Sequence, residues 1–144
     1  MWQTPKTDWN GDYDSSGKYV GDYFDYEQYN RVKDNIDYLK TLALSIYKYF
    51  EIGNVGPDKI PSDMAIYANE VNNLEDLLDT IKNNTYDLNI GDKRTYYDNG
   101  KYIDFVELNR IENACLSYYN FFNEQLKNLS SLPFSCGSRI GDVF

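Results

Sequence analysis

The chain has 144 residues, 42% of them hydrophobic, and a formal net charge of -9. This length fits a single domain, residues 1–144, with a lean core. The acidic balance disfavours binding to nucleic-acid phosphate and to anionic membranes. The sequence shows neither a hydrophobic signal segment nor a run of roughly 18 to 20 apolar residues that could span a membrane. We therefore expect a protein made in a cytoplasm.

Aromatic residues make up 17% of the chain, more than so small a core needs, and it contains no histidine. Aromatic side chains are enriched at protein interfaces, so the excess indicates assembly. Without histidine, catalysis would rest on carboxylates, Tyr or Lys, and no convergent set of these is visible. We expect no enzymatic activity and no cofactor, and both cysteines, Cys115 and Cys136, are interpreted as reduced thiols.

Residues 1–22 are rich in Gly, Ser, Asp and aromatic residues without a helical period, which indicates an extended arm carrying Trp2 and Trp9. Within it, Asp12, Asp14 and Ser16 have the spacing of the first ligands of a calcium loop. Tyr23 stands where that loop requires a bidentate Glu. The segment therefore predicts a turn, with calcium binding as the weaker alternative.

The first helix is predicted over about 25–50, because apolar residues recur at spacings of three and four. Asp25 caps it, Gln28 is the capping-box partner, and Phe24 packs as a hydrophobic staple against Tyr29. The second helix is expected after Pro61 with Ser62 as its cap, and it ends at Asn83 and Asn84.

A small two-stranded hairpin is predicted near 94–103, since Asn99–Gly100 is a strong hairpin-turn signal. The third helix, about 105–130, has Asp104 as its cap and Glu107 as the capping-box partner. Pro133 stops it, and the tail 133–144 carries Phe134 and Phe144. The fold predicted for residues 23–132 is a mainly α, three-helix antiparallel bundle with this hairpin and with extended N- and C-terminal arms, although the apolar stripes could also form coiled-coil faces between chains.

The start of the first helix, Phe24–Ile36, is repeated at the start of the third, Ile103–Cys115. Cap, aromatic and apolar positions match, and so does an Asn-Arg pair: Asn30–Arg31 and Asn109–Arg110. Shared capping rules alone could explain the first three but not the pair, which favours a duplication. On a helical wheel these four residues lie roughly 120 to 140° from the apolar stripe, so they are free to bind an extended strand or another subunit, or are simply solvated.

Several segments together resemble small tail or tail-fibre-associated structural proteins of phages and prophages of Gram-positive bacteria. The segments are Thr4-Pro5-Lys6-Thr7-Asp8-Trp9, Asp22-Tyr23-Phe24, Tyr29-Asn30-Arg31-Val32 with Asn35-Ile36 and Tyr38-Leu39, and Leu108-Asn109-Arg110-Ile111-Glu112-Asn113. In that family the arm Trp lies close to the Asp-aromatic-Phe helix start, whereas here residues 10–21 intervene. The resemblance implies a place in a virion rather than a reaction.

The sequence therefore predicts a virion structural protein, a tail, baseplate or tail-fibre adaptor whose partners are other tail or baseplate proteins and further copies of itself. The contacts are predicted to come from the arms and from helix faces outside the core. The residues expected to make them are Trp2, Trp9, Asn30, Arg31, Tyr38, Asn109, Arg110, Phe134 and Phe144. The alternative is a module that binds host-surface carbohydrate through tyrosines.

Overall fold

The computed structural model of the chain describes residues 1–63, 65–98 and 103–130. Three α-helices follow one another, α1 (Tyr26–Ile46), α2 (Ala68–Asn84) and α3 (Phe105–Ser130). The mainly helical fold class is confirmed. The predicted C-terminal tail 133–144, with Phe134, Cys136 and Phe144, and the helix stop at Pro133 lie outside the described residues.

Helices α1 and α3 begin where the capping signals place them. The Asp25 carboxylate accepts the Gln28 N–H at 3.0 Å, and the Asp104 carboxylate accepts the Glu107 N–H at 2.9 Å. The ring of Phe24 lies 6.5 Å from that of Tyr29, centroid to centroid, as a hydrophobic staple does. Local sequence therefore fixes both starts, although α1 ends at Ile46 and not near 50.

The predicted start of α2 at Ser62 is wrong. Residues 60–63 form a turn in which the Asp63 N–H donates to the Ile60 carbonyl at 2.8 Å, and the Ile60 N–H donates to the Asp63 carboxylate at 2.9 Å. The helix begins only after Tyr67, whose backbone N–H donates to the Glu70 side chain at 2.8 Å. The cap was missed because Tyr is not one of the residues that normally mark a helix N-terminus.

The core lies between the three helices and takes one apolar stripe from each. Ile36, Leu39, Ile81, Tyr118 and Phe122 are fully buried at its centre. Cys115 lies among them as a free thiol, and burial raises the pKa of that thiol well above its ordinary value. The stripes therefore close on one another within the chain, as the bundle interpretation requires.

The helices run parallel, and the antiparallel arrangement predicted from the sequence is wrong. Near the start of both helices, Arg31 of α1 donates to Glu112 of α3. Just after the end of α1, the Tyr47 hydroxyl donates to Gln125 late in α3 at 2.7 Å. Helix α2 has the same direction: its Glu75 meets Arg110 early in α3, and Tyr86, just after the end of α2, accepts from the Tyr118 hydroxyl further along α3 at 2.8 Å.

Parallel helices require connections long enough to run back along the bundle. Helix α1 has 21 residues, about 31 Å at 1.5 Å per residue. An extended chain of about ten residues covers that distance, and the connections 47–67 and 85–104 are long enough to do so. Within each connection a segment lies along the preceding helix, where Lys59 bonds to Asn30 of α1 and Tyr96 bonds to Asn72 of α2.

The hairpin predicted near 94–103 is wrong over its described part, since 94–98 and 103 contain no strand, while Asn99–Gly100 lies outside the described residues. Tyr96 bonds to an asparagine side chain of α2 instead of to a partner strand. A short ribbon occurs instead over residues 10–22, named the arm hairpin below. Its ladder includes the Asp22 N–H donating to the Asn10 carbonyl at 2.8 Å and the Asp14 N–H donating to the Lys18 carbonyl at 2.9 Å.

Candidate functional site

An asparagine early in each helix binds the backbone of an extended segment of the chain. The asparagine stands five residues after the cap in all three helices: Asn30, Asn72 and Asn109. Asn109 accepts the Trp9 N–H at 2.7 Å and donates to the Trp9 carbonyl at 3.1 Å. Because an amide side chain has one acceptor and one donor at its tip, it can satisfy both backbone groups of one residue.

The other two asparagines repeat this geometry. Asn30 accepts the Lys59 N–H at 2.8 Å and donates to the Lys59 carbonyl at 2.9 Å. Asn72 accepts the Tyr96 N–H and donates to the Tyr96 carbonyl, both at 2.7 Å. The repeat inferred from the sequence as two copies therefore has a third copy on α2, whose shifted cap concealed it.

The three contacts have a cyclic order. The segment that precedes α2 lies on α1, the segment that precedes α3 lies on α2, and the arm that precedes α1 lies on α3. Each segment thus fills the space between its own helix and the one before it. Of the three asparagine contacts, the one made by the arm joins the first helix to the last and so closes the cycle.

The two arginines of the Asn-Arg pairs also have equivalent partners. Arg31 donates to Gln28, one turn earlier, and to Glu112 of α3. Arg110 donates to Glu107, one turn earlier, at 2.7 Å and to Glu75 of α2. Burial lowers the pKa of Arg110, but the hydrogen bonds that Arg110 donates to Glu75 and Glu107 outweigh this effect and raise that pKa overall.

Glu75 and Glu112 are the two buried acceptors at which these networks meet, with 2% and 1% of their surfaces exposed. Glu112 accepts the Lys6 N–H at 3.1 Å and the Trp9 indole N–H. Glu75 correspondingly accepts the Arg94 N–H at 3.3 Å and the Tyr96 hydroxyl at 3.2 Å. A buried carboxylate is tolerated only when paired and hydrogen-bonded, so each Glu stabilises both an arginine and an extended segment.

Helix α1 carries the same site with the charge reversed. Lys33 stands where the other helices have Glu75 and Glu112, and it is 4% exposed. Its ammonium group pairs with Asp58, next to Lys59 in the segment, and with Asp34 at 2.8 Å. In α2 the arginine position is occupied by Asn73, so no arginine reaches α1 from that helix.

The predicted assembly residues of the arm lie against the helices of their own chain. The ring of Trp2 stacks on Tyr119 at 3.9 Å and lies 5.9 Å from Tyr38, centroid to centroid. Trp9 is buried, with its ring 6.0 Å from that of Phe105. Gln3, between these two tryptophans in the chain, exchanges two hydrogen bonds of 2.8 Å between its backbone and the Asn35 side chain.

The calcium candidates form the turn of the arm hairpin. One oxygen of Asp14 accepts the Ser16 N–H, the Ser16 hydroxyl and the Lys18 N–H, at 2.6 to 2.9 Å. These hydrogen bonds, with the Ser16 hydroxyl first, lower the pKa of the Asp14 carboxyl. Asp12 accepts the Tyr13 N–H. Among the described residues, no group of three or more acidic or cysteine side chains could hold a metal ion.

Three tyrosines form a cluster on the arm hairpin. Tyr19 lies between Tyr13 and Tyr23, with ring centroids 5.3 and 5.1 Å away and both pairs edge-to-face. The outer rings are 66% and 67% exposed. The Tyr19 hydroxyl donates to the Asp22 carbonyl at 2.6 Å, so the central ring is fixed. The arm has room for this hairpin because Trp9 lies 16 residues before the cap Asp25, whereas Lys59 and Tyr96 each lie eight residues before the caps of the next helices.

The buried glutamates and Asn72 had not been recognised as site residues from the sequence. The one available signal was an asparagine five residues after a cap with an acidic residue three further on, as in Asn72–Glu75 and Asn109–Glu112.

Within the described ranges, no helix is both long and apolar enough to cross a membrane. No family model, curated protein or solved structure matches the chain.

Proposed function

We propose that this chain is a structural protein of a phage virion, a tail, baseplate or tail-fibre adaptor that assembles with other tail proteins and has no catalytic role. The observation that carries the proposal is the convergence of the resemblance's residues. Trp9 of the arm and Arg31 of the first Asn-Arg pair both donate to Glu112, and Asn109 of the second pair binds the Trp9 backbone. In this chain the residues of the resemblance are therefore contacts that fold the arm onto the helices, which supports a structural role.

The ionisable groups inside the bundle support a structural role. Glu75 and Glu112 each accept from an arginine and from an extended segment. Lys33 is paired with two aspartates. These buried charges serve to hold chain segments in place, and a catalytic acid or base would need access to a substrate.

The surface also supports binding to partners, because large aromatic and aliphatic side chains remain outside the core. More than half of each of the following side chains is exposed: Tyr13, Tyr23, Tyr49, Tyr67, Tyr86, Tyr97, Val106 and Ile60. Tyrosine offers a rigid apolar ring with a hydrogen-bonding hydroxyl, a combination favoured at interfaces. The predicted partners are other tail or baseplate proteins and further copies of the chain.

The test is to locate the chain in particles. Phage particles from the host that carries this gene would be purified on a density gradient and probed with an antibody against the chain, with a host cytoplasmic enzyme as the control. We expect the chain to sediment with intact particles and with isolated tails, and the enzyme to remain at the top. Presence in the lysate but not in particles would overturn the proposal.

A second candidate function, binding of host-surface carbohydrate, is favoured by the tyrosine cluster of the arm hairpin. Sugar rings stack on aromatic faces while their hydroxyls bond to neighbouring polar groups. Tyr13 and Tyr23 present exposed rings on either side of Tyr19. Asp12 and Asp22 flank them with carboxylate acceptors.

This candidate is tested by titrating purified cell-wall polysaccharide of the host into the protein. Tyr13→Ala and Tyr23→Ala should each weaken binding about tenfold, the loss of one stacked ring. Tyr49→Ala is the matched control, since Tyr49 is 80% exposed but lies outside the cluster. Equal affinities for all three variants, or no binding by the native protein, would exclude the hairpin as a sugar site.

A further inference from the structure

The contact between the arm and α3 differs from the two equivalent contacts in its chain separation. Asn30 and Lys59 are 29 positions apart, and Asn72 and Tyr96 are 24 positions apart. Asn109 and Trp9 are 100 positions apart. The covalent chain therefore joins the other two segments directly to the helix that binds them, whereas the arm is joined to α3 only through α1 and α2.

The groove that receives the arm lies between α1 and α3 and recognises mainly backbone and two tryptophan rings. Asn35 and Asn109 bind the backbone of Gln3 and Trp9. Tyr119 stacks on Trp2. None of these contacts depends on the arm belonging to the same chain, so residues 2–9 of another copy fit equally well.

An empty groove is unfavourable. Without the arm, the buried carboxylate of Glu112 loses the Lys6 N–H and the Trp9 indole N–H and keeps only Arg31. Trp9, 5% exposed when docked, returns to water. A groove that its own arm has left is therefore a binding site for the arm of a neighbour.

The part of the arm that occupies the groove, residues 2–9, is joined to α1 through the arm hairpin, which is suited to act as a hinge. Asn10 and Asp22 close the base of the hairpin with two hydrogen bonds. The Asp22 carboxylate accepts the Asn10 N–H at 2.9 Å, and the Asp22 N–H donates to the Asn10 carbonyl. The ribbon is held together by its own hydrogen bonds and would move as a unit once Gly11 separates from the Phe105 ring of α3 and Lys6 from Asp22. Small backbone changes at residues on either side of its base would redirect the arm.

We propose that the arm is exchanged between copies, so that residues 2–9 of one chain occupy the groove between α1 and α3 of the next. Exchange of an identical element is a low-cost route to association, and when passed from copy to copy it builds a head-to-tail array. The role of this array in a particle rests on the proposed virion function. Its physical basis is the set of arm contacts.

Exchange is measured by energy transfer between two labelled populations of the full-length protein, both with Cys136→Ser. One population carries a donor dye on Thr7→Cys in the arm, and the other carries an acceptor on Val106→Cys at the start of α3; both native side chains are exposed. Cys115 is buried and stays unlabelled. Transfer between the populations then reports a donor arm docked on an acceptor copy.

We expect energy transfer to develop with time after mixing and to reach half its maximum at a protein concentration on the order of 1 mM. The acceptor copy's own arm competes for the same groove, and its short linker gives it an effective concentration in that range. A donor population that also carries Trp9→Ala should lose at least tenfold in transfer, with circular dichroism showing that its helices remain. Donor copies with Tyr49→Ala are the matched control and should exchange normally.

Two outcomes would overturn the inference: no transfer at any concentration up to the millimolar range, or transfer that Trp9→Ala leaves unchanged, which would place the contact on another surface. Both are distinguishable from failure of the proposed function. A chain found in particles that does not exchange arms keeps its virion role. A chain that exchanges arms but is missing from particles keeps the exchange and loses the role.

Discussion

Replacing Asn109 with alanine should destabilise the protein by about 2 kcal/mol, although Asn109 is outside the core. The substitution removes two hydrogen bonds, of 2.7 and 3.1 Å, to the Trp9 backbone. A neutral hydrogen bond contributes about 1 kcal/mol, and a backbone group left partly buried without a partner costs about as much again or more. Alanine is the better helix former by about 0.6 kcal/mol, which offsets part of the loss.

The assay is urea unfolding followed by circular dichroism, with the free energy of unfolding extrapolated to water. Asn30→Ala and Asn72→Ala are expected to give losses similar to that of Asn109→Ala, since each asparagine binds the backbone of one residue in the same way. Asn113→Ala is the matched control, an exposed asparagine on α3. If Asn109→Ala cost no more than Asn113→Ala, the asparagine contacts would not stabilise the fold and the reasoning would be refuted.

Three further predictions concern the buried charges, the alkaline limit and the arm hairpin. Glu112→Gln should cost about 3 kcal/mol in urea unfolding, because it leaves the Arg31 charge buried without its carboxylate; a loss within error of zero would contradict this. Burial raises the pKa of Tyr29 from about 10 in the unfolded chain to about 12 in the folded protein. The buried neutral phenol therefore contributes its full stabilisation below about pH 10, and this contribution is lost as the pH rises from about 10 to about 12. Tyr29→Phe should therefore lose less unfolding free energy than the native protein over that interval, and parallel pH profiles would refute it. Deleting residues 12–19 gives Trp9 the same distance from its helix cap as Lys59 and Tyr96 have from theirs, so the thermal midpoint should stay within about 4 °C; loss of the cooperative transition would show that the hairpin is needed for folding.

The helices themselves were largely predictable, because caps, staples and apolar periodicity act over a few residues. Asp25 and Asp104 cap α1 and α3 as expected. Where the local signal was misleading, as at Ser62, the prediction failed, because Tyr67 gives no capping signal and its function as a cap relies on Glu70. Helix direction was missed for a different reason: it depends on where the connections run, and no local pattern records that.

The roles of the Asn-Arg pairs could not be read from the helical wheel. Their positions away from the apolar stripe indicated a partner, and the structure supplies one within the chain for each side chain. Extended segments cover those faces of the helices, so the side chains are half-buried despite lying outside the stripe. Whether any of them also contacts another subunit stays a prediction.

The sequence by itself determined three helices, two of their caps and a recurring Asn-Arg pair, since these depend on residues within one or two turns of one another. Only the tertiary structure decided that the helices run parallel, that the repeat is threefold, and that the arm closes a ring on α3. The physical reason lies in how the segments are recognised. An asparagine that binds a backbone N–H and carbonyl places no requirement on the side chain of the residue it holds, so Lys59, Tyr96 and Trp9 share no sequence signal that could have revealed their equivalence.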